Sequence, residues 1–290
     1  MSGTPQCVTL FLSGSLPGSA LLHHRQLSIF GMICRLPENI LHKLARHALT
    51  TLKPSSRSWF SRIRNLCLQY CLPHPLSLLQ TPLSKCSFKT LIKKKVLNFW
   101  EVSLRTTAAT NYTSLMYFHP HFMSLSAPHP MLTSAGSSPY SITMSRVQSI
   151  MLSGRYRTQE LMSNWCPTQS KCCQTPSCIG LAHTENLSHI LATCSSLDET
   201  RRKLTRFTED YCKLKSITND VTTLILDFCQ PHHPKFCQFL IDCSVLPQVI
   251  RLHQLHGNGI HDVLYSITRT WCFCIHRERL KILDRWSPSS

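Results

Sequence analysis

Apolar residues recur at helical rather than strand spacing along most of the chain. Ile40, Leu41, Leu44, Ala45 and Leu49 fall on one face of a short helix, with Pro37 and Asn39 ahead of it as start and cap. Trp59, Ile63, Leu66, Cys67 and Tyr70 share a face over 58–70, which the turn Leu72-Pro73-His74-Pro75 closes; Arg57, Arg62 and Arg64 lie mostly off that face. A third helix over 87–104 turns Leu91, Val96, Phe99 and Trp100 inward. Over 262–286, Val263, Leu264, Ile267, Trp271, Ile275 and Ile282 line one side, while Arg269, His276, Arg277 and Arg279 fall largely elsewhere. This last stripe reads as core, although a basic amphipathic helix can also lie on a membrane surface.

The periodicity breaks over 106–143, where Ser, Thr, Pro and His replace charge, as in Phe118-His119-Pro120-His121-Phe122 and Ser126-Ala127-Pro128-His129-Pro130. Turns and extended chain are expected there. Helical character returns at 147–152 and is interrupted by Ser153-Gly154. The pattern predicts a mainly α protein of four segments: a basic helical region 1–105, a Pro/Ser/His-rich irregular linker 106–145, a Cys/His-bearing module with flanking basic helices 146–215, and a C-terminal helical region 216–290.

Charge narrows the chemistry. The 290 residues carry a formal charge of +17, and the only acids before residue 170 are Glu38, Glu101 and Glu160. Two-metal phosphoryl transfer, glycosidic acid/base pairs and aspartate-assisted triads all need placed carboxylates, which this stretch supplies poorly. A basic surface of this kind suits a polyanion, with nucleic acid and anionic membrane as the natural candidates, unless it is merely solvated. Lys93, Lys94 and Lys95 have the same two readings: a solvated helix face or a phosphate contact.

Sixteen cysteines would fit a secreted disulfide protein, but 290 residues is long for that class. The apolar stretch 8–22 makes a poor signal sequence, with no basic residue before it and breaks at Gly14, Pro17 and Gly18. No run of about 20 apolar residues offers a membrane span. The cysteines are therefore expected to be thiols in a reducing, intracellular compartment, where the sequons at Asn111 and Asn186 carry no weight.

One cluster stands out: Cys173 and Cys178, then ten residues, then His189 and Cys194, a C-x4-C-x10-H-x4-C spacing. Three thiolates and an imidazole suit one tetrahedral zinc ion, and both pairs fall within local ligand separations. Pro176 can turn the first pair together, and the second sits where a helix starts. The alternative is buried cysteines, a free thiol and a core histidine; Cys166, Cys172 and His183 are nearby competitors. With four protein ligands the ion would be structural, since catalytic zinc keeps a position for water.

Basic residues flank this cluster. Arg155-Tyr156-Arg157 can stack a base between cations that hold phosphates, or be a surface tyrosine between solvated arginines. Past Cys194, acids at Asp198 and Glu199 open a helix that carries Arg201, Arg202, Lys203 and Arg206, while Leu197, Leu204, Phe207, Tyr211 and Leu214 form its buried stripe. These cations are expected to contact RNA or DNA mainly through phosphates. No small-molecule substrate or membrane is expected as a partner, and the oligomeric state is open.

The order Cys, Cys, Glu185-Asn-Leu-Ser-His189-Ile-Leu-Ala-Thr-Cys194, then a basic helix, resembles the cysteine-rich carboxy-terminal module of non-LTR (LINE-type) retrotransposon polyproteins. Other similar blocks run from Leu21-Leu22-His23-His24-Arg25-Gln26-Leu27 and Phe30-Gly31-Met32-Ile33, through Trp59 to Gln80 and Met151-Leu152-Ser153-Gly154-Arg155-Tyr156-Arg157-Thr158, to Thr268-Arg269-Thr270-Trp271-Cys272-Phe273. The resemblance implies a segment that follows the reverse transcriptase domain, thumb-like by position over 1–105, binding template RNA or target DNA, with a nuclear location possible. The polymerase palm's aromatic-x-Asp-Asp motif is absent and no endonuclease carboxylate–histidine set can be assembled. The implied protein is thus a truncated, non-catalytic element tail.

Overall fold

The computed structural model describes residues 5–37, 39–53, 55–111 and 115–286. It is mainly α. In chain order the helices are α1 (Gln6–Ser13), α2 (Gly18–Cys34), α3 (Ile40–Thr51), α4 (Trp59–Gln69), α5 (Pro75–Gln80), α6 (Lys85–Asn111), α7 (Pro130–Thr133), α8 (Pro139–Leu152), α9 (Gln159–Trp165), α10 (Asp198–Leu214), α11 (Asn219–Phe228), α12 (Phe236–Ile241), α13 (Pro247–His256) and α14 (Asn258–Trp286). Among the described residues there is no strand, only an isolated bridge between Cys172 and Thr184, and no helix is long and apolar enough to cross a membrane.

The chain divides into two compact units. One comprises Gly14–Thr110 with Ser124–Ala127, the other Met1–Ser13, Asn111–Met123 and Pro128–Ser290. We call them the basic unit and the metal unit. The Cys/His module and the C-terminal helices, read as separate segments, thus belong to one unit together with α1. The 106–145 stretch, expected to be irregular, is instead interrupted by helix: α6 runs on to Asn111, a 3-10 turn spans Pro120–Phe122, and α7 and the first part of α8 lie within it. It is not a free connector either, because Leu115, Phe118, Met123, Met131 and Ala135 are all buried. Apolar residues in a low-charge stretch supply a packing surface even without periodicity.

In the basic unit, α2 to α6 enclose Leu27, Phe30, Ala45, Leu49, Ile63, Leu66, Tyr70, Leu78, Ile92 and Val96. The Asn39 cap read from the sequence forms, accepting from the Leu41 N–H at 2.8 Å; Ser58, not singled out as a cap, accepts from the Ser61 N–H at 3.0 Å, each satisfying a donor left open by the first helical turn. Gly31 lies where α2 meets α6. A Cβ there would stand 2.1 Å from the Phe88 ring, so the close approach requires glycine.

In the metal unit, α14 is the central element, packed by α7, α8, α10, α12 and α13. Its stripe is core rather than a membrane face: Leu264, Ile267, Trp271 and Ile275 are fully buried. Two of the polar groups that enter this core show how they are held. Trp271 Nε1 donates to Thr208 Oγ1 at 2.9 Å, and Gln148 Nε2 donates to the Leu240 carbonyl at 2.7 Å. Arg269 and Arg279, expected off the buried face, are themselves buried, and each is held by a side chain from elsewhere in the unit.

Candidate metal centre

Cys173, Cys178, His189 and Cys194 come together. All four are buried, and their ligand atoms lie within 4.8 Å of one another, a group able to hold one metal ion. The first pair is set by a single 3-10 turn, Pro176–Cys178, in which the Cys178 N–H donates to the Thr175 carbonyl at 2.9 Å. The second pair is set by a π turn, His189–Thr193, closed by Cys194 N–H donating to the His189 carbonyl at 2.8 Å. In an α-helix, residues five apart point about 140° away from each other. The wider i→i+5 turn narrows that divergence and makes His-x4-Cys a workable ligand pair.

The separations fit a tetrahedron. Zinc–sulfur bonds of about 2.3 Å and zinc–nitrogen bonds of about 2.05 Å place two sulfurs about 3.8 Å apart, and sulfur and nitrogen about 3.6 Å apart. Cys178 Sγ lies 3.8 Å from Cys194 Sγ and 3.6 Å from His189 Nε2. The other imidazole nitrogen, Nδ1, lies 3.0 Å from Thr193 Oγ1, which fixes the ring with Nε2 toward the sulfurs. Thr175 Oγ1 sits between Cys173 Sγ at 3.2 Å and Cys194 Sγ at 3.3 Å. A hydroxyl there can donate to a thiolate.

The electrostatics act differently on the ligands. The Cys173 thiol hydrogen-bonds toward Cys194, which lowers the Cys194 pKa and raises that of Cys173, burial raising the latter further. Burial, then the neighbouring His183, lowers the His189 pKa and keeps the imidazole neutral. Cys166, Cys172 and His183 stay outside the group.

The centre is tied to the unit by residues that spacing alone did not reveal. Arg201 is buried and donates to the carbonyls of Ile190, Leu191 and Cys194, and to Asp198 Oδ1 at 2.6 Å. It closes the ligand turn, so the phosphate-contacting role expected of Arg201 is corrected: its donors are consumed by backbone. Tyr156 is likewise not a base-stacking platform. It is buried, its hydroxyl pairs with His276 Nδ1 at 3.0 Å, the Arg279 guanidinium lies over its ring, and burial pushes its pKa up to about 12. Glu185, in the strap between Cys178 and His189, is fully buried, bonds Arg279 Nη2 at 2.6 Å and accepts from the Gln159 N–H at 3.0 Å.

Of the remaining basic residues singled out by sequence, Arg157, Arg202, Lys203 and Arg206 are exposed and Arg155 is half-buried. On α10, Arg202 and Lys203 share Glu199, at 3.1 and 3.6 Å, and Lys213 meets Glu209 at 3.4 Å. The helix therefore presents less free charge than its run of cations implies. Comparison with known proteins found no match to a family model, a curated protein or a solved structure.

Proposed function

We propose that the chain binds nucleic acid through phosphates, carries one structural zinc ion, and has no catalytic site of its own. The observation that carries the binding reading is charge segregation. The basic unit holds fourteen lysines and arginines against Glu38 and Glu101, and Glu101 is engaged by Arg105 at 3.7 Å and the Leu125 N–H at 3.1 Å. Such a concentration of cations matches a polyanion.

Zinc is the ion best suited to the centre. Three thiolates and an imidazole form a soft donor set, and a closed tetrahedron leaves no position for water or substrate. Resemblance to the post-polymerase region of LINE-type polyproteins supports the same reading and supplies RNA or target DNA as the ligand class. Arg157, Arg202, Lys203 and Arg206, all exposed, are proposed as secondary contacts. The ion pairs along α10 favour a second reading for the metal unit itself, in which zinc only holds the fold.

Two measurements test the proposal. Elemental analysis is expected to find about one zinc per chain, reduced in Cys173→Ser and His189→Ala variants. Binding to labelled single-stranded and duplex oligonucleotides should weaken steeply between about 50 and 200 mM salt. Purified, folded protein with no zinc would remove the metal reading, and the absence of salt-sensitive binding to every oligonucleotide would remove the nucleic-acid reading.

A further inference from the structure

The basic unit contains a cleft of about 370 Å³ at the start of α4, lined by Gln26 of α2 and by Ser56, Arg57, Ser58, Trp59, Arg62 and Asn65. A cavity of this size lies in the range of small-ligand sites. Its lining is chemically selective. Arg57 and Arg62 are exposed, and among the described residues neither has a carboxylate within ion-pair reach. Trp59 is half-buried: it packs on Phe30 and Phe60, with ring centroids 6.5 and 5.1 Å away, while also lining the cleft. Gln26 Oε1 is buried without a hydrogen-bond partner, which costs free energy, and turning the amide toward the cleft that Gln26 lines would present it to an incoming donor.

We infer that this cleft binds one nucleotide of a single strand, with its phosphate on Arg57 and Arg62, its base against Trp59, and a base or ribose donor on Gln26 Oε1. The three requirements are independent, and a nucleotide meets all of them. Two guanidiniums need an anion, the indole needs a planar partner, and the amide oxygen needs an N–H or O–H. Inorganic phosphate meets only the first. A phosphorylated peptide also brings anion and donors but no obligatory ring for Trp59. The inference rests on the nucleic-acid reading and assigns it a place in the basic unit.

The test uses the full, zinc-loaded chain with a labelled uridine 12-mer, read by anisotropy and by tryptophan quenching. Expected for Arg57→Ala/Arg62→Ala is about tenfold weaker binding and a log–log salt slope shallower by about 0.7, because one phosphate of the single strand is no longer neutralised. Quenching should vanish in Trp59→Phe, which keeps an aromatic ring in the packing, with far-ultraviolet dichroism as the folding check. UMP should quench weakly at the same tryptophan and inorganic phosphate should not.

Unchanged affinity and slope in the double-arginine variant, with the wild type binding well, would overturn this site and leave the nucleic-acid reading standing. No oligonucleotide binding by the wild type would remove that parent reading; UMP quenching lost in Trp59→Phe would then still support a nucleotide site, and its absence would overturn it. A phosphoserine peptide that displaces the 12-mer as well as unlabelled strand does would also overturn the assignment.

Discussion

Arg279 Nη2 donates to Glu185 Oε1 across 2.6 Å, with 7% and 0% of the two side chains exposed. Glu185 belongs to the strap between the second and third metal ligands, and Arg279 belongs to α14. The ion pair therefore joins the metal loop to the central helix of its unit. Removing one partner leaves a buried charge uncompensated, so Glu185→Ala is expected to cost about 3–5 kcal/mol. A Glu185→Leu/Arg279→Met double variant should recover most of that. Urea unfolding of the three proteins measures it, and a double variant no more stable than Glu185→Ala would show that the pair itself is not the source.

Arg201 makes a prediction opposite to its expected role. Its guanidinium serves the carbonyls of Ile190, Leu191 and Cys194. Unmet buried carbonyls cost about 1–3 kcal/mol each. Arg201→Ala should thus lose on the order of 3 kcal/mol and bind zinc less tightly, whereas Arg202→Ala, on the exposed face, should change stability by less than about 0.5 kcal/mol. Competition with a chromogenic chelator reads the metal affinity. Equal zinc affinity in wild type and Arg201→Ala would sink the assignment.

These two sites mark what the sequence could and could not convey. The ligand set was legible because its spacing is local, and Asn39 was legible because a cap acts within one turn. Arg201 and Tyr156 were misjudged because a charge or ring in sequence does not say which backbone carbonyls or buried partners will claim it. Glu185 and Arg279 are 94 residues apart, beyond any periodic signal. Helix α2 escaped for another reason: Leu21, Leu22, Ile29 and Met32 are exposed while Leu27, Phe30 and Ile33 are buried, so its apolar residues circle the helix and leave no stripe.

Gly31 offers a test of packing in the basic unit. A methyl group there collides with the Phe88 ring at 2.1 Å, and displacing a packed aromatic costs about 1–3 kcal/mol. Gly31→Ala is expected to lower the urea midpoint, and adding Phe88→Leu should restore part of it by making room. If Gly31→Ala proves as stable as the wild type, α2 and α6 are not held at this distance.

Asp242 should make the metal unit sensitive to acid. The residue is wholly buried, which by itself raises its pKa. The raising is outweighed by His129, whose Nε2 lies 3.6 Å away, and by hydrogen bonds from Ser244 Oγ at 2.7 Å and Tyr265 Oη at 2.9 Å, leaving the carboxyl below its ordinary range. A depressed folded-state pKa adds stability above the unfolded value of about 3.9, and that stability is lost as pH falls through the lower folded value. Protonation of the proposed metal ligands in acid would weaken the unit as well, so the comparison must be with Asp242→Asn, in which those ligands are intact. Between about pH 4.5 and 3 the wild type is expected to lose more unfolding free energy than Asp242→Asn. Parallel losses would remove Asp242 as a source of the acid sensitivity, because a group that no longer titrates cannot contribute to the slope.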